Sequence, residues 1–230
     1  NNRFEAMCVG GGIVMTMWDR LGVIVFMWIL SSVTAEEHIN LPFYDEPTLT
    51  PRWIGEAESG SSDYHRIADF ELTNQNGKLV TAQSLRGSIY VANFFFTTCP
   101  GICSSMTKNL KRVQDAFEDE QLVKLVSYSV TPEFDNPEVL KAYESKHVLS
   151  DDLWHLLTGD KALIYRLARD SYFADEDLAP IEQATDQFLH TEKVFLIDGE
   201  GRIRGVYNGA MTVDMKRVIA DVKTLQAQGE

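Results

Sequence analysis

A three-layer α/β domain is predicted for this chain from three observations. Runs with strand character alternate with runs of helical spacing from about residue 66 to the end. One run at 88–96, SIYVANFFF, is long, β-branched and aromatic enough to be a central strand buried on both faces. The last third reads as strand, glycine-containing turn, strand and closing helix.

The elements follow in order. IADFEL and GKLV flank TNQNG, where Asn76-Gly77 signals a hairpin. After the 88–96 strand, Met106, Leu110, Val113 and Phe117 recur at helical spacing, so 102–118 is an amphipathic helix. LVKLVSYSV, at 122–130, is the next strand. Pro137 suits the first turn of a helix marked by Val139, Leu140 and Tyr143. LWHLLT is short and strand-like, and Leu163, Ile164, Leu167 and Ala168 mark a further helix. KVFLID-GEG-RIRGVY supplies the strand pair, and Met215, Val218, Ile219, Val222 and Leu225 the closing helix.

With 230 residues, the chain can hold one generous domain, or one domain with appendages. Its formal net charge of −13 argues against nucleic-acid binding, because phosphate recognition needs a basic surface. Its three cysteines, Cys8, Cys99 and Cys103, are too few for a disulfide-stapled scaffold.

The N-terminus divides from the rest. Behind Asp19 and Arg20 comes an apolar run at 21–30, followed by SSVTA. Ten helical residues span about 15 Å, half of a bilayer core of about 30 Å. Residues 1–35 therefore read as a signal peptide or as an N-terminal membrane anchor, and either carries the remainder across a membrane. Cys8 lies in that segment and is assigned no role. Residues 36–62, rich in proline, glycine, serine and acids, read as a lead-in linker to a domain at 63–230.

The chemistry is expected where the central strand meets the first helix, in FFFTTCPGIC. Reactive groups of α/β sheets collect at the carboxyl ends of strands. A cysteine at a helix N-terminus has its thiolate stabilised by unpaired N–H groups and the helix dipole, and thiolate is the form that attacks disulfides or binds metals. Spacing weighs the alternatives. Residues four apart on a helix have Cβ atoms about 5–6 Å apart. A disulfide wants about 3.5–4.5 Å, whereas a metal held by two sulfurs tolerates the wider gap. The balance leans toward metal and leaves a redox pair and a structural disulfide open.

Five histidines are candidate third ligands: His38, His65, His147, His155 and His190. His38 precedes the domain, His147 follows a helix, His155 sits within a strand, and His65 suits a structural role. His190 lies just before the FLID strand, whose entry in a thioredoxin-type sheet packs beside the reactive cysteines. Two thiolates and one imidazole suit copper, while structural zinc would want a fourth ligand.

FFFTTCPGIC, SVTPEFDNPEVLKAY, LWHLLTGD and FLHTEKVFLIDGEGRIRGVYNG, in that order, resemble the Sco/SenC family of thioredoxin-like copper proteins. The resemblance runs from about His65 to the closing helix. It implies a thioredoxin-like fold with a central mixed sheet, and copper held by Cys99, Cys103 and His190. It further implies a periplasmic or otherwise extracytoplasmic location, anchored through the N-terminal segment. The implied role is delivery of copper to the binuclear centre of cytochrome c oxidase, with the oxidase's copper-bearing subunit and other copper chaperones as partners. A thiol–disulfide oxidoreductase that uses Cys99 and Cys103 as a redox-active pair is the alternative; a peroxidase-like role fits the cysteine spacing less well. Ser104 stands where the family often has proline, and Leu189 where it often has aspartate.

Overall fold

The computed structural model describes residues 40–53, 64–99, 101–174 and 191–229. The signal or anchor assignment, Cys8, His38 and His190 all lie outside the described residues. Among the described residues no helix is long and apolar enough to cross a membrane.

Seven strands form one sheet in the order β2-β1-β5-β4-β3-β6-β7. In chain order these are β1 (Glu71–Asn74), β2 (Leu79–Thr81), β3 (Ile89–Phe95), β4 (Val123–Ser129), β5 (Trp154–Thr158), β6 (Lys193–Ile197) and β7 (Ile203–Asn208). Helices α1 (Ile102–Ala116), α2 (Pro137–His147), α3 (Lys161–Arg166) and α4 (Thr212–Ala227) connect or close them. β3, β4 and β5 run parallel, while β1, β2, β6 and β7 pair antiparallel to their neighbours, so the sheet is mixed.

Side chains of β3 alternate between two cores. Ile89, Val91 and Phe95 pack with Met106, Leu110 and Val113 of α1, Leu140 of α2 and Met215, Val218 and Val222 of α4. Tyr90, Ala92 and Phe94 face the other way, toward Ile164, Leu167 and Tyr172 around α3. Every residue of β3 is buried, which accounts for its unbroken apolar run in the sequence.

Local chemistry sets the element ends. Asn74 Oδ1 accepts from the N–H groups of Asn76 and Lys78, both at 3.0 Å, and Gly77 takes φ +70°, closing the predicted hairpin. Asn136 caps α2 by accepting from Val139 N at 3.0 Å, with Pro137 in the first turn. Asp160 caps α3 in the same way from Leu163 N. The 3₁₀ turn Gln83–Leu85 lacked a sequence signal. Leu167 and Ala168, expected in one helix with Leu163 and Ile164, fall in a π-helical turn, Leu167–Ser171, that continues α3, because apolar spacing does not distinguish the two helix types.

Buried hydrogen bonds join several polar groups of the core. Trp154 Nε1 donates to Ser127 Oγ at 2.8 Å, and Ser127 Oγ donates to Asn93 Oδ1 at 2.6 Å, a buried chain across β5, β4 and β3. Gln75 continues the β1–β5 ladder with its side chain, donating to Trp154 O and accepting from Leu156 N.

The lead-in stretch is more than a spacer over 40–53. Leu41 and Phe43 are buried, Tyr44 N donates to Ile203 O at 3.0 Å, and Phe43 bridges back to Arg52. Arg204, only 1% exposed, donates to Leu41 O and Pro42 O and lays its guanidinium 4.0 Å from the Phe43 ring centroid. Asp198 balances Arg204 and Arg202 from below at 3.2 and 2.8 Å. Proline and acid content marked this stretch as linker, and the apolar anchors Leu41 and Phe43 within it were too sparse to show a period.

Candidate metal centre

The carboxyl ends of β3 and β4 define one edge of the sheet, because these strands run parallel with Phe95 opposite Ser129. The start of β6 reaches the same edge, since Asn93 pairs antiparallel with Val194. Thr191, the first described residue after His190, therefore enters the sheet on the side where β3 hands over to Thr97, Thr98 and Cys99. The sequence-predicted cysteines sit at this edge, whereas the predicted histidine lies outside the described residues.

Cys99 is partly exposed, Cys103 is buried in the first turn of α1, and neither is in a disulfide. Gly101 is the N-cap of α1 and offers no side-chain cap, so the first N–H groups of the helix are left for another acceptor. The Cys99 sulfur lies beside them, and the Cys103 thiol and the backbone N–H groups of Gly101, Cys103 and Ile102 all act to lower its pKa. Burial alone would raise the Cys99 pKa, but these groups outweigh it and hold the thiol below its ordinary value. Cys103 moves the other way, to about 12, pushed first by burial and then by its hydrogen bond to Cys99.

The pair is thus asymmetric, with one nucleophilic sulfur in an N–H cradle and one buried thiol behind it. Since Cys99 titrates below the ordinary thiol value of 9.0 and Cys103 near 12, raising pH from 6 to 9 should expose Cys99 thiolate first. Alkylation of the reduced protein at pH 8 is expected to label Cys99, with Cys103 following only at much higher pH or after unfolding. Peptide mapping decides it, and preferential labelling of Cys103 would contradict this asymmetry.

Three further residues, which sequence reasoning had passed over, brace the pair. Thr107 Oγ1 donates to Cys103 O at 2.9 Å and meets the Tyr143 hydroxyl at 2.8 Å, tying α2 to the cysteine turn of α1. Burial raises the Tyr143 pKa, so this phenol stays a neutral donor. Asp135, beyond β4, receives the backbone N–H and hydroxyl of Thr97. Asp135 was visible only as an acid in a polar loop, in SVTPEFDNP, and nothing in one sequence joins that loop to the threonine pair before Cys99.

The described histidines have work elsewhere. His65 Nε2 donates to Ser171 O at 2.7 Å and its ring lies 4.5 Å from that of Phe173. His147 ends α2 against Tyr143, with ring centroids 4.2 Å apart. His155 is on β5, where burial lowers its pKa. Among the described residues, no three His, Cys, Asp or Glu side chains are grouped to hold a metal ion. The described part of the centre is therefore the sulfur pair. Ser104, at the proline position of the expected pattern, is an exposed residue of α1.

Comparison with known proteins places this geometry. The family model described as SCO1/SenC matches residues 58–227. The SCO1 protein homolog of Bacillus subtilis is 33% identical over 162 residues, covering 70% of this chain and 82% of that protein. Among solved structures, BsSco is described as a member of the Sco family of cytochrome c oxidase assembly proteins in which a disulfide switch was identified. It superposes with a TM-score of 0.60 at 32% identity, over 71% of this chain and 94% of that one. ScoI of Bradyrhizobium japonicum, with copper bound, gives a TM-score of 0.55 at 30% identity, over 69% and 98% of the two chains. The fold is thioredoxin-like, and the chain belongs to the SCO1/SenC family.

Proposed function

We propose that this protein binds one copper ion through Cys99, Cys103 and His190 and passes it to the copper-bearing subunit of cytochrome c oxidase. The observation that carries this reading is the sulfur pair itself. At the N-terminus of α1 the Cys99 thiol is held below its ordinary pKa, against the effect of burial, by Cys103 and the backbone N–H groups there. Thiolates select soft ions such as Cu(I), and an imidazole accommodates either copper valence. The copper-bound ScoI relative supports the ion, and the description of BsSco supports the assembly role. Binding releases protons, because Cys103 must give up its own to become a ligand. Transfer by ligand exchange is favoured by the partial exposure of Cys99, where an incoming thiolate reaches the metal first. The apolar run at 21–30 supports an extracytoplasmic location for the domain, beside a membrane-bound oxidase.

The asymmetry of the thiols favours a second reading. Cys99 thiolate attacks a target disulfide, forming a mixed disulfide and releasing one target thiolate, which takes up a proton. Cys103 then loses its proton and attacks Cys99 sulfur, forming the Cys99–Cys103 disulfide and releasing the second target thiol. The target is reduced by two electrons and the pair oxidised by two.

Turnover separates the roles. The copper-loaded protein and the reduced apoprotein are each mixed with an excess of the oxidase subunit's soluble copper domain. Delivery predicts one copper transferred per chain and then arrest. Reduction of many target disulfides per chain, given an external thiol reductant and no copper, would overturn delivery in favour of the reductase.

A further inference from the structure

We propose that Asp135 is a positioning residue for the thiol pair, acting through Thr97 to fix the turn that carries Cys99 against Cys103. This rests on the functional reading of the two cysteines and assigns a role to residues outside the ligand set.

Asp135 is 0% exposed and lies in the loop between β4 and α2. Its carboxyl accepts four hydrogen bonds: from Thr97 N at 3.3 Å, Thr97 Oγ1 at 2.5 Å, Ser129 Oγ at 2.5 Å and Thr131 Oγ1 at 3.0 Å. All four donors are neutral, and among the described residues no cation pairs with it. Burying a carboxyl without a cation is costly unless its acceptors are filled. Loop closure alone does not need that group, because Ser129 and Thr131 already bond the loop to itself and Val130 N donates to Phe95 O at 2.9 Å.

What the carboxyl adds is a grip on Thr97, two residues before Cys99. Asp135 is itself fixed, since its N–H donates to Thr131 O at 2.9 Å. The turn is closed from the other side by Cys99 N donating to Phe96 O at 3.4 Å. The backbone of Cys99 is therefore suspended between β4 and the start of α1, where Cys103 waits. Such bracing raises the effective concentration of one sulfur at the other. Releasing it leaves α1 and Cys103 in place but lets Cys99 wander, which weakens both disulfide closure and two-sulfur capture of a metal.

Thr97→Val removes the hydroxyl and keeps both the shape and the Asp135 carboxyl, so it isolates the anchoring bond. Thr97→Ser restores the hydroxyl. Asp135→Asn is the companion variant. Each apoprotein is equilibrated with glutathione and glutathione disulfide: Cys99 and Cys103 give up two protons and two electrons as one S–S bond forms, and glutathione disulfide is cleaved to two glutathiones. Thr97→Val is expected to lower the equilibrium constant for the Cys99–Cys103 disulfide by about tenfold, with Thr97→Ser within about twofold of the wild type. A merely structural loss would lower the unfolding midpoint of both redox forms alike and leave that constant unchanged. The Cu(II) complex supplies a second readout, with the thiolate-to-copper absorption shifted in Thr97→Val and restored in Thr97→Ser. A wild-type equilibrium together with a wild-type copper spectrum in Thr97→Val would overturn the assignment. If the wild-type chain takes up no copper, the copper reading fails, and the glutathione equilibrium alone still decides the role of Asp135.

Discussion

Replacing Cys99 or Cys103 by serine is expected to weaken copper binding on the order of 10³-fold or more, beyond the roughly 10–100-fold that follows loss of an outer partner of a metal ligand. A serine hydroxyl is hard and stays protonated where a thiolate is soft and charged, so it does not replace sulfur toward copper. The two variants should fail for different reasons. Cys99→Ser removes the sulfur already seated in the N–H cradle of Gly101, Ile102 and Cys103. Cys103→Ser removes the buried sulfur and leaves Cys99 as the one thiol of the pair, with a hydroxyl in place of the second soft ligand. Neither change should unfold the domain, because each is close to isosteric; far-ultraviolet dichroism checks this. A serine variant that retains copper at wild-type affinity would contradict the assignment of its cysteine as a ligand.

Asp198→Ala is expected to destabilise the fold by about 3–5 kcal/mol, a large share of the roughly 5–15 kcal/mol typical of a domain. Asp198 is wholly buried between β6 and β7. Its Oδ2 pairs with Arg202 Nε at 2.8 Å and Arg204 Nη1 at 3.2 Å, while Oδ1 accepts from the N–H groups of Glu200 and Arg202. Alanine leaves those two backbone donors without their acceptor and removes the carboxylate that two buried guanidinium groups share, although Arg202 still meets Glu200 at 3.3 Å. The damage should reach the 40–53 stretch, since Arg204 bonds Leu41 and Pro42 and lies over the Phe43 ring. Urea unfolding measures the loss, and limited proteolysis should find early cleavage near Phe43. Lys161→Ala is the contrasting case: its pair with Glu133 is exposed on both sides, and it should cost under about 1 kcal/mol.

Much of the fold was legible because period and burial agree. The run at 88–96 became β3, with both faces buried. The helical spacing of Met106, Leu110, Val113 and Phe117 became α1 and its cap, and Pro137 opened α2 as expected. What escaped was held by single side chains rather than by a pattern. The docked lead-in depends on Arg204 and Asp198, which are about 160 residues further along the chain than Leu41. A charged residue in RIRGVY reads as surface until its partners are seen.

The site divides along the same line. Cys99 and Cys103 were legible as a reactive pair from strand, proline and helix signals around them. Their unequal character was not, because it arises from three-dimensional details: the N–H cradle around one sulfur and the burial of the other. Likewise, the Thr97–Asp135 and Thr107–Tyr143 braces join residues 38 and 36 positions apart. Sequence spacing carries no trace of either.

The most direct test of the central claim is copper binding by the reduced domain from Glu36 onward, measured beside Cys99→Ser and His190→Ala. Metal content and the Cu(II) absorption spectrum are recorded together. The account predicts one copper per wild-type chain, with a thiolate-to-copper charge-transfer band that disappears in Cys99→Ser and shifts, with weaker binding, in His190→Ala. A wild-type domain that takes up no copper, yet readily and reversibly forms the Cys99–Cys103 disulfide, would contradict it and leave the thiols to a reductase.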